Sequence, residues 1–303
     1  MNIGKLIISW DRGGVSEATL RGVDEAYARG LAAGKRLVLC VLAARAGTRW
    51  LGDVFNAHDN ATGITERYFE AESLYRFISY NRLPMDTAGI ITLIKHGIVE
   101  DWKKGDISFV NSPFFSHGLV NLIERLQPSR IVFGLNDPKF TVQSMYNKGF
   151  YSHHYIRERT DLALGFQPSF PQRWYWLYLF ARLVPNGEAY TAWERLTRIG
   201  KVAWFGNRVN LDIWEQLQTV PREHVFFFHL KEADQNYAYY LKLVKEFGLS
   251  PILPEKTFLK IKKQTVLPQH NAPHVWTPQE EREFTEQTRD WYALYRSLFP
   301  HVA

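Results

Sequence analysis

The chain alternates short, continuously apolar runs with amphipathic segments. The runs at 37–42, 130–135 and 225–230 are too short for buried helices and predict strands. An amphipathic helical pattern over 117–128 comes directly before the second of them. Strands that alternate with helices form parallel sheets covered on both faces. We therefore expect an α/β fold with three layers, α/β/α, around a central parallel sheet.

Other segments continue this alternation. Their patterns and terminal glycines predict a strand over 5–9 and helices over 16–33 and 238–247. A helix is also expected from the end of the 45–49 loop through 60, and another from just after Pro138 to 149. No linker, internal repeat or block of like charge divides the 303 residues, so one domain over residues 1–303 is expected.

Composition narrows the function classes. The net charge of +6 suits anionic ligands, but the cations are scattered, so no nucleic-acid partner is expected. The single cysteine, Cys40, excludes a disulfide scaffold. The apolar run near the N-terminus is too short for a signal peptide, and no apolar run reaches the ~20 residues that cross a bilayer. We expect a cytoplasmic protein without a transmembrane segment, and the sequence does not predict its oligomeric state.

Residues 45–49, Arg45-Ala46-Gly47-Thr48-Arg49, join the strand at 37–42 to a helix. A glycine-containing turn at this position directs backbone N–H groups and a helix N-terminus toward an anion, and arginines add bidentate donors for phosphate or sulfate. The G-x-x-x-x-G-K-[ST] loop of nucleoside triphosphatases is absent here. The alternative is an ordinary strand-to-helix turn with solvated arginines.

This loop resembles the [KR]-x-G-T-[TSR] loop of sulfotransferases that use 3′-phosphoadenosine 5′-phosphosulfate (PAPS). The stretch 47–58 resembles the glycosaminoglycan branch of that family, and the tail at 276–295 resembles the closing helix of bacterial members. The resemblance implies that residues 45–49 bind the phosphosulfate of PAPS and that Trp50 packs on its adenine. It also implies that adenosine 3′,5′-bisphosphate is the product.

A second family signature is a strand followed by R-[ND]-P, with a serine eight residues after the arginine; both hold the 3′-phosphate. Here Asn136-Asp137-Pro138 follows the strand at 130–135, and Ser144 has that spacing. Asn136 replaces the arginine, which removes a charge-assisted contact of about 1.5–3 kcal/mol. Similarly, Asn111 stands where many relatives have a lysine. Four lysines could compensate at the 3′-phosphate: Lys139, Lys148, Lys262 and Lys263.

Sulfuryl transfer requires cationic groups at the leaving phosphate and a base for the acceptor's proton. We assign the first role to Arg45 with the loop, and no metal is expected. Glu66 is the first candidate base, because 65–69 resembles the E-x-H-F-F segment of the glycosaminoglycan branch, with a slightly shorter spacing. His117 is the second. The alternatives are a surface glutamate paired with Arg67 and a capping or core histidine.

The acceptor is less constrained. Aromatic residues crowd the segment 166–205, where they could stack on a sugar or another flat molecule, or fill a core. We expect a small metabolite or a saccharide that carries a hydroxyl or an amine. Two alternatives remain open: a relative that binds adenosine bisphosphate without transfer, and a membrane-surface or interaction protein that uses residues 174–180.

Overall fold

The computed structural model describes residues 17–43, 45–151, 182–233, 236–265 and 274–302. The predicted strand at 5–9 and the aromatic segment 174–180 lie outside these residues. Within the described part of the chain, no helix combines the length and the apolar character needed to cross a bilayer. That one domain spans residues 1–303 stays a prediction.

Five parallel strands form the central sheet in the order β2-β3-β1-β4-β5. The strands are β1 (Arg36–Leu42), β2 (Ala61–Thr65), β3 (Ile107–Asn111), β4 (Arg130–Gly134) and β5 (Val225–Phe228). The described helices are α1 (Glu17–Leu20), α2 (Val23–Ala32), α3 (Thr48–Asn56), α4 (Phe69–Asn81), α5 (Ala88–Trp102), α6 (Leu119–Leu126), α7 (Pro138–Asn147), α8 (Ala189–Glu194), α9 (Arg198–Leu217), α10 (Leu230–Ala233), α11 (Tyr237–Phe247), α12 (Glu255–Thr265), α13 (Pro278–Gln287) and α14 (Arg289–Leu298). Short 3₁₀ turns occur at Pro113–Ser116 and Arg222–His224.

Both faces of the sheet are covered, as the apolar pattern predicts. Alternate side chains of β1 from Leu37 to Val41 join a core with α2, α4–α9, α13 and α14. The intervening side chains from Val38 to Leu42 join a second core with α3, α11 and α12. Because side chains of a strand point alternately to its two faces, one continuous apolar run supplies both cores. The predicted α/β fold with three layers is confirmed.

The order of the strands creates a crevice at the carboxyl end of β1. The helix after β1, α3, packs in the second core, whereas the helix after the adjacent β4, α7, packs in the first. Leu42 pairs with Gly134 where the two strands end, so the following loops begin side by side. Ligands of open parallel sheets bind where neighbouring connections diverge to opposite faces. The fold therefore places the loops after β1 and β4 at the expected ligand crevice.

Several element boundaries differ from the predictions. The helix expected over 16–33 is two helices, because Gly22 adopts a left-handed conformation with φ 74° between them. The helix expected from the end of the 45–49 loop through residue 60 begins at Thr48 and ends at Asn56. The strand expected over 225–230 ends at Phe228. Strands β2 and β3 were not predicted. In β2, Ala61–Thr65 contains a glycine and two threonines and shows no continuous apolar run.

Candidate active site

The turn between β1 and α3 needs a glycine. Gly47 has φ 100°, and an added Cβ would lie 3.0 Å from Cδ1 of Leu230 and 3.1 Å from the ring of Phe228. As the N-cap residue it has no side chain, so none caps the first N–H groups of α3. Free N–H donors and the positive end of a helix dipole favour a bound anion, and anion binding at this crevice stays a prediction.

Arg45 connects this turn to the helix after β4. Its Nε donates a hydrogen bond of 2.9 Å to Oγ of Ser144 on α7. Partial burial lowers the pKa of the Arg45 guanidinium, although arginine stays protonated throughout the physiological range. The structure thus brings together the two residues that begin one predicted signature and end the other.

The other loop residues differ in exposure. Ala46 is buried, Thr48 is half-buried as the first residue of α3, and Arg49 is exposed. The Trp50 ring is buried and stacks on Phe228 with ring centroids 5.9 Å apart. The structure places Trp50 in the second core, and its packing on adenine stays a prediction.

Asn136 lies at the end of β4 and is buried. The following Asp137 caps α7 by accepting a hydrogen bond of 2.8 Å from the Phe140 N–H, and Pro138 is the first helical residue. This arrangement explains the sequence Asp-Pro as a helix start, and binding of a 3′-phosphate at Asn136 stays a prediction.

The four lysines that could compensate for the arginine replaced by Asn136 lie in different surroundings. Lys139 pairs with Glu281 at 2.9 Å and lies 4.9 Å above the ring of Trp276. Lys148 is exposed at the C-terminal end of α7. Lys262 and Lys263 lie outside the described side chains. The Lys139 contacts hold it to the C-terminal segment.

Asn111 connects β3 to residues 45–49, which we call the anion loop. Its Nδ2 donates to the backbone oxygen of Thr48 at 2.6 Å and lies 3.5 Å from Oγ1 of Thr65. Many of the sulfotransferases that the sequence resembles have a lysine at this position, whereas here a neutral amide anchors the first turn of α3. The anchoring helps to fix the N–H groups of α3 relative to the sheet.

Glu66 follows β2 at the same edge of the sheet. Its backbone is left-handed, with φ 52°, and its N–H donates to the Asn111 oxygen at 2.9 Å. Arg67, the partner considered for Glu66, forms an ion pair with the buried Asp101. Asp101 also accepts a hydrogen bond of 2.7 Å from Oγ of Ser108. The ion pair fixes the backbone next to Glu66.

His117 lies beyond the 3₁₀ turn that follows β3. Its Nδ1 is 2.5 Å from Oδ2 of Asp212, and both side chains are 6% exposed. Burial lowers the pKa of His117, and the adjacent Asp212 opposes the shift only in part. The short contact directs the Nδ1–H of the imidazole toward the Asp212 carboxylate.

Comparisons with known proteins concern the fold. No protein-family model and no curated protein matches the chain. Among solved structures it is similar to sulfotransferase STF9 from Mycobacterium avium, with a TM-score of 0.53 and 10% identity over 92% of this chain and 81% of that one. The chain has the sulfotransferase fold. A sulfotransferase domain from the curacin biosynthetic pathway aligns with a TM-score of 0.41 and 11% identity, over 84% of this chain and 97% of that one.

Two charged residues of this sulfotransferase fold were missed at the sequence level. Glu72 is fully buried on α4 and accepts a hydrogen bond of 3.0 Å from the Tyr68 N–H. Burial raises the pKa of its carboxyl to about 7. Arg76 lies 4.7 Å from the centroid of the Phe114 ring and donates to the Pro113 oxygen, and burial lowers its pKa to about 9. Their i,i+4 spacing on an otherwise apolar helix face was the available signal.

Proposed function

We propose that the chain is a sulfotransferase that moves a sulfuryl group from PAPS to a hydroxyl or amine of a small metabolite or saccharide. The hydrogen bond of 2.9 Å between Arg45 and Ser144 carries this proposal. It joins the residues that the resemblance assigns to the 5′-phosphosulfate and the 3′-phosphate. A nucleotide with phosphates at both positions is the ligand that would contact both residues in the crevice.

The residues at the crevice fit such a donor. The first N–H groups of α3, which no side chain caps, would donate hydrogen bonds to a phosphate. Arg45 and Thr48 would hold the phosphosulfate, with Ser144 and Asn136 at the 3′-phosphate. When bound, PAPS supplies the activated sulfuryl group and leaves as adenosine 3′,5′-bisphosphate.

The chain's own groups would then perform two tasks. Arg45 and the N–H groups of α3 would stabilise the negative charge that develops on the departing phosphate. Glu66, at the carboxyl end of β2, would accept the proton of the acceptor. His117 is the second candidate base. A cytoplasmic location is part of the proposal.

A second candidate function is binding of adenosine bisphosphate without transfer. It is favoured by Asn111, whose amide holds the Thr48 oxygen at 2.6 Å where many relatives have a lysine. Asn136 also favours this second function, because it lacks the charge of the usual arginine. A binding assay followed by a transfer assay separates the two functions.

Calorimetry with adenosine 3′,5′-bisphosphate tests the donor site. Loss of a charge-assisted contact of about 1.5–3 kcal/mol predicts a ten- to 150-fold weaker affinity for Arg45→Ala. For Ser144→Ala, loss of a neutral hydrogen bond predicts about a tenfold effect or less. Arg130→Ala is the matched control, because Arg130 is paired with Glu246 at the amino end of β4. Unchanged affinity in Arg45→Ala would contradict the proposal.

Transfer from labelled PAPS to a panel of phenols, amines and saccharides tests the reaction. We expect Glu66→Gln to lose 10²–10⁴-fold in turnover, the usual contribution of a general base. His117→Ala is compared in parallel. Turnover of Glu66→Gln within about tenfold of the unmodified chain would exclude Glu66 as the base. Nucleotide binding without transfer to any acceptor would favour the second candidate function.

A further inference from the structure

A buried carboxyl, that of Glu72, lies close in the fold to the candidate base. Glu72 is 1% exposed, and its Oε1 accepts a hydrogen bond of 3.0 Å from the Tyr68 N–H. It also forms a side-chain hydrogen bond with Ser112. Both partners are neutral groups, and glutamates are rarely buried without a charged partner. A role in packing therefore does not explain why this position of α4 carries a carboxyl.

The carboxyl end of β3 holds Glu66 and Glu72 in one region. The Glu66 N–H donates to the Asn111 oxygen at 2.9 Å. Ser112, the next residue along the chain, bonds the Glu72 side chain. Asn111 in turn holds the Thr48 oxygen in the first turn of α3 at 2.6 Å. A short series of contacts therefore connects Glu72 with the candidate base and with the anion loop.

The backbone limits the distance between the two glutamates. Tyr68 follows Glu66 by two residues, which span at most about 7 Å of extended chain. Because the Glu72 oxygen lies 3.0 Å from the Tyr68 nitrogen, it lies within about 10 Å of the Glu66 nitrogen. Like charges so close repel each other, and the Glu66 charge is one of the causes that raise the pKa of Glu72.

Other ionisable groups face the two glutamates from each neighbouring element. They are Arg67 and Tyr68 after β2, Arg76 on α4, His96 and Asp101 on α5, and Tyr151 and Arg182 beyond α7. Arg67 is paired with Asp101, and Arg76 attracts the Glu66 charge. All of these groups are present both in the unmodified chain and in variants of the two glutamates. Differences between such variants and the unmodified chain therefore report on the glutamates themselves.

The charge of Glu72 changes in the range where it would affect a base. Burial raises the pKa of the Glu72 carboxyl to about 7, so its neutral and ionised forms are both populated near neutrality. Ionised Glu72 repels the Glu66 carboxylate, and a carboxylate near a second negative charge binds a proton more tightly. A base that binds the proton more tightly also removes it faster from an acceptor.

We propose that Glu72 acts on the transfer reaction through Glu66, and that the negative charge of Glu72 strengthens Glu66 as the proton acceptor. The inference rests on the proposed function for the reaction, whereas the coupling of the two carboxyls does not. In that reaction the acceptor's oxygen or nitrogen bonds to sulfur, the bond from sulfur to the phosphate oxygen breaks, and the acceptor's proton moves to Glu66. Glu72 is thus a positioning residue, which contacts neither substrate.

NMR titration of the full chain, labelled with ¹³C at the glutamate carboxyls, tests the coupling without any nucleotide. The Glu72 signal is the one that Glu72→Gln lacks. Its midpoint should fall by about 0.3–1 pH unit in Glu66→Gln, as expected for charges ~10 Å apart at effective dielectric constants of ~80 to ~20. Glu124→Gln, at an exposed position of α6, is the control and should leave the midpoint unchanged. An unchanged midpoint in Glu66→Gln would overturn the proposal.

Transfer from labelled PAPS to the most readily sulfated acceptor of the panel tests the role of the coupling. The ratio of kcat in the unmodified chain to kcat in Glu72→Gln should rise about 1.5- to threefold between pH 6 and pH 8, as Glu72 ionises. The KM for PAPS should be the same in both. A purely structural role of Glu72 predicts a ratio that is constant or falls with pH, because ionisation of Glu72 destabilises the unmodified chain. Either result would overturn the proposal.

The two measurements separate this inference from the proposed function. If an acceptor is sulfated but the midpoint or the kcat ratio behaves otherwise than expected, this inference fails alone. If the midpoint shifts and no acceptor is sulfated, the coupled carboxyls stand and the proposed function fails.

Discussion

Replacing Glu72 with glutamine should stabilise the protein above neutral pH. Glu72 is buried on α4, and burial raises the pKa of its carboxyl from 4.5 to about 7. The folded state therefore holds the proton more tightly than the unfolded state does. The stability associated with this group is fully present below pH 4.5 and is lost as the pH rises from 4.5 to about 7.

The size of the effect follows from the pKa shift. A shift of about 2.5 units at ~1.4 kcal/mol per unit corresponds to about 3 kcal/mol lost by pH 8. Glutamine keeps an oxygen that can accept the Tyr68 N–H bond of 3.0 Å but cannot ionise. Glu72→Gln should therefore be more stable than the unmodified chain by up to about 3 kcal/mol at pH 8, and nearly equal to it at pH 4.

Urea unfolding at pH 4, 6 and 8 measures this difference. Glu124→Gln, at an exposed position of α6, is the matched control and should follow the unmodified chain at every pH. Taking the difference between variant and unmodified chain removes the titration of all other groups. A difference that stays constant with pH, or a variant less stable at pH 8, would refute the reasoning.

Two further substitutions test the elements around the crevice. Gly47→Ala should lose about 1–2 kcal/mol of stability, because φ 100° is strained for alanine, and should weaken nucleotide binding as the added Cβ presses on Leu230. Unfolding and calorimetry measure the two effects. Asp101→Asn should lose about 3 kcal/mol or more, because it leaves the Arg67 charge without its buried partner. Its transfer rate should fall more than its nucleotide affinity, since Arg67 adjoins Glu66.

Each substitution has a matched control in the chain. Gly22→Ala introduces similar strain at φ 74° with no atom within 4 Å of the new Cβ, so it should reduce stability and leave nucleotide affinity unchanged. Asp106→Asn breaks an exposed pair with Lys35 and should cost under about 1 kcal/mol. Equal nucleotide affinities of Gly47→Ala and the unmodified chain would count against the anion loop. If Asp101→Asn loses no more stability than Asp106→Asn does, the Arg67–Asp101 ion pair does not fix the backbone next to Glu66.

The proposed donor site contains two neutral residues, Asn111 and Asn136, where the sulfotransferases that the sequence resembles have cations. Lys139 is held by Glu281 and Trp276. Under the proposed function, donor affinity would therefore depend more heavily on Arg45 and the N–H groups of α3 than it would with both cations present. The Arg45 titration is for this reason the most informative measurement of the donor site.

The sequence alone determined the features that depend on short stretches of chain. The apolar run of β1 predicts a buried strand, Gly34 and Gly248 mark helix ends, and both have positive φ as expected of such residues. The turn around Gly47 and the spacing of Ser144 from Asn136 are likewise local. Local preferences are set by backbone sterics and by side-chain periodicity. Both act over a few residues, so the amino-acid sequence alone indicates them.

Only the tertiary structure decided which distant residues meet. Arg45 and Ser144 are 99 residues apart and form a hydrogen bond only because β1 and β4 are neighbours in the sheet. The pairing of His117 with Asp212 and the burial of Glu72 depend in the same way on how the helices pack against the sheet. Burial changes the pKa of a carboxyl or imidazole by removing water, and water is excluded by the assembled layers, so no segment of sequence carries that information by itself.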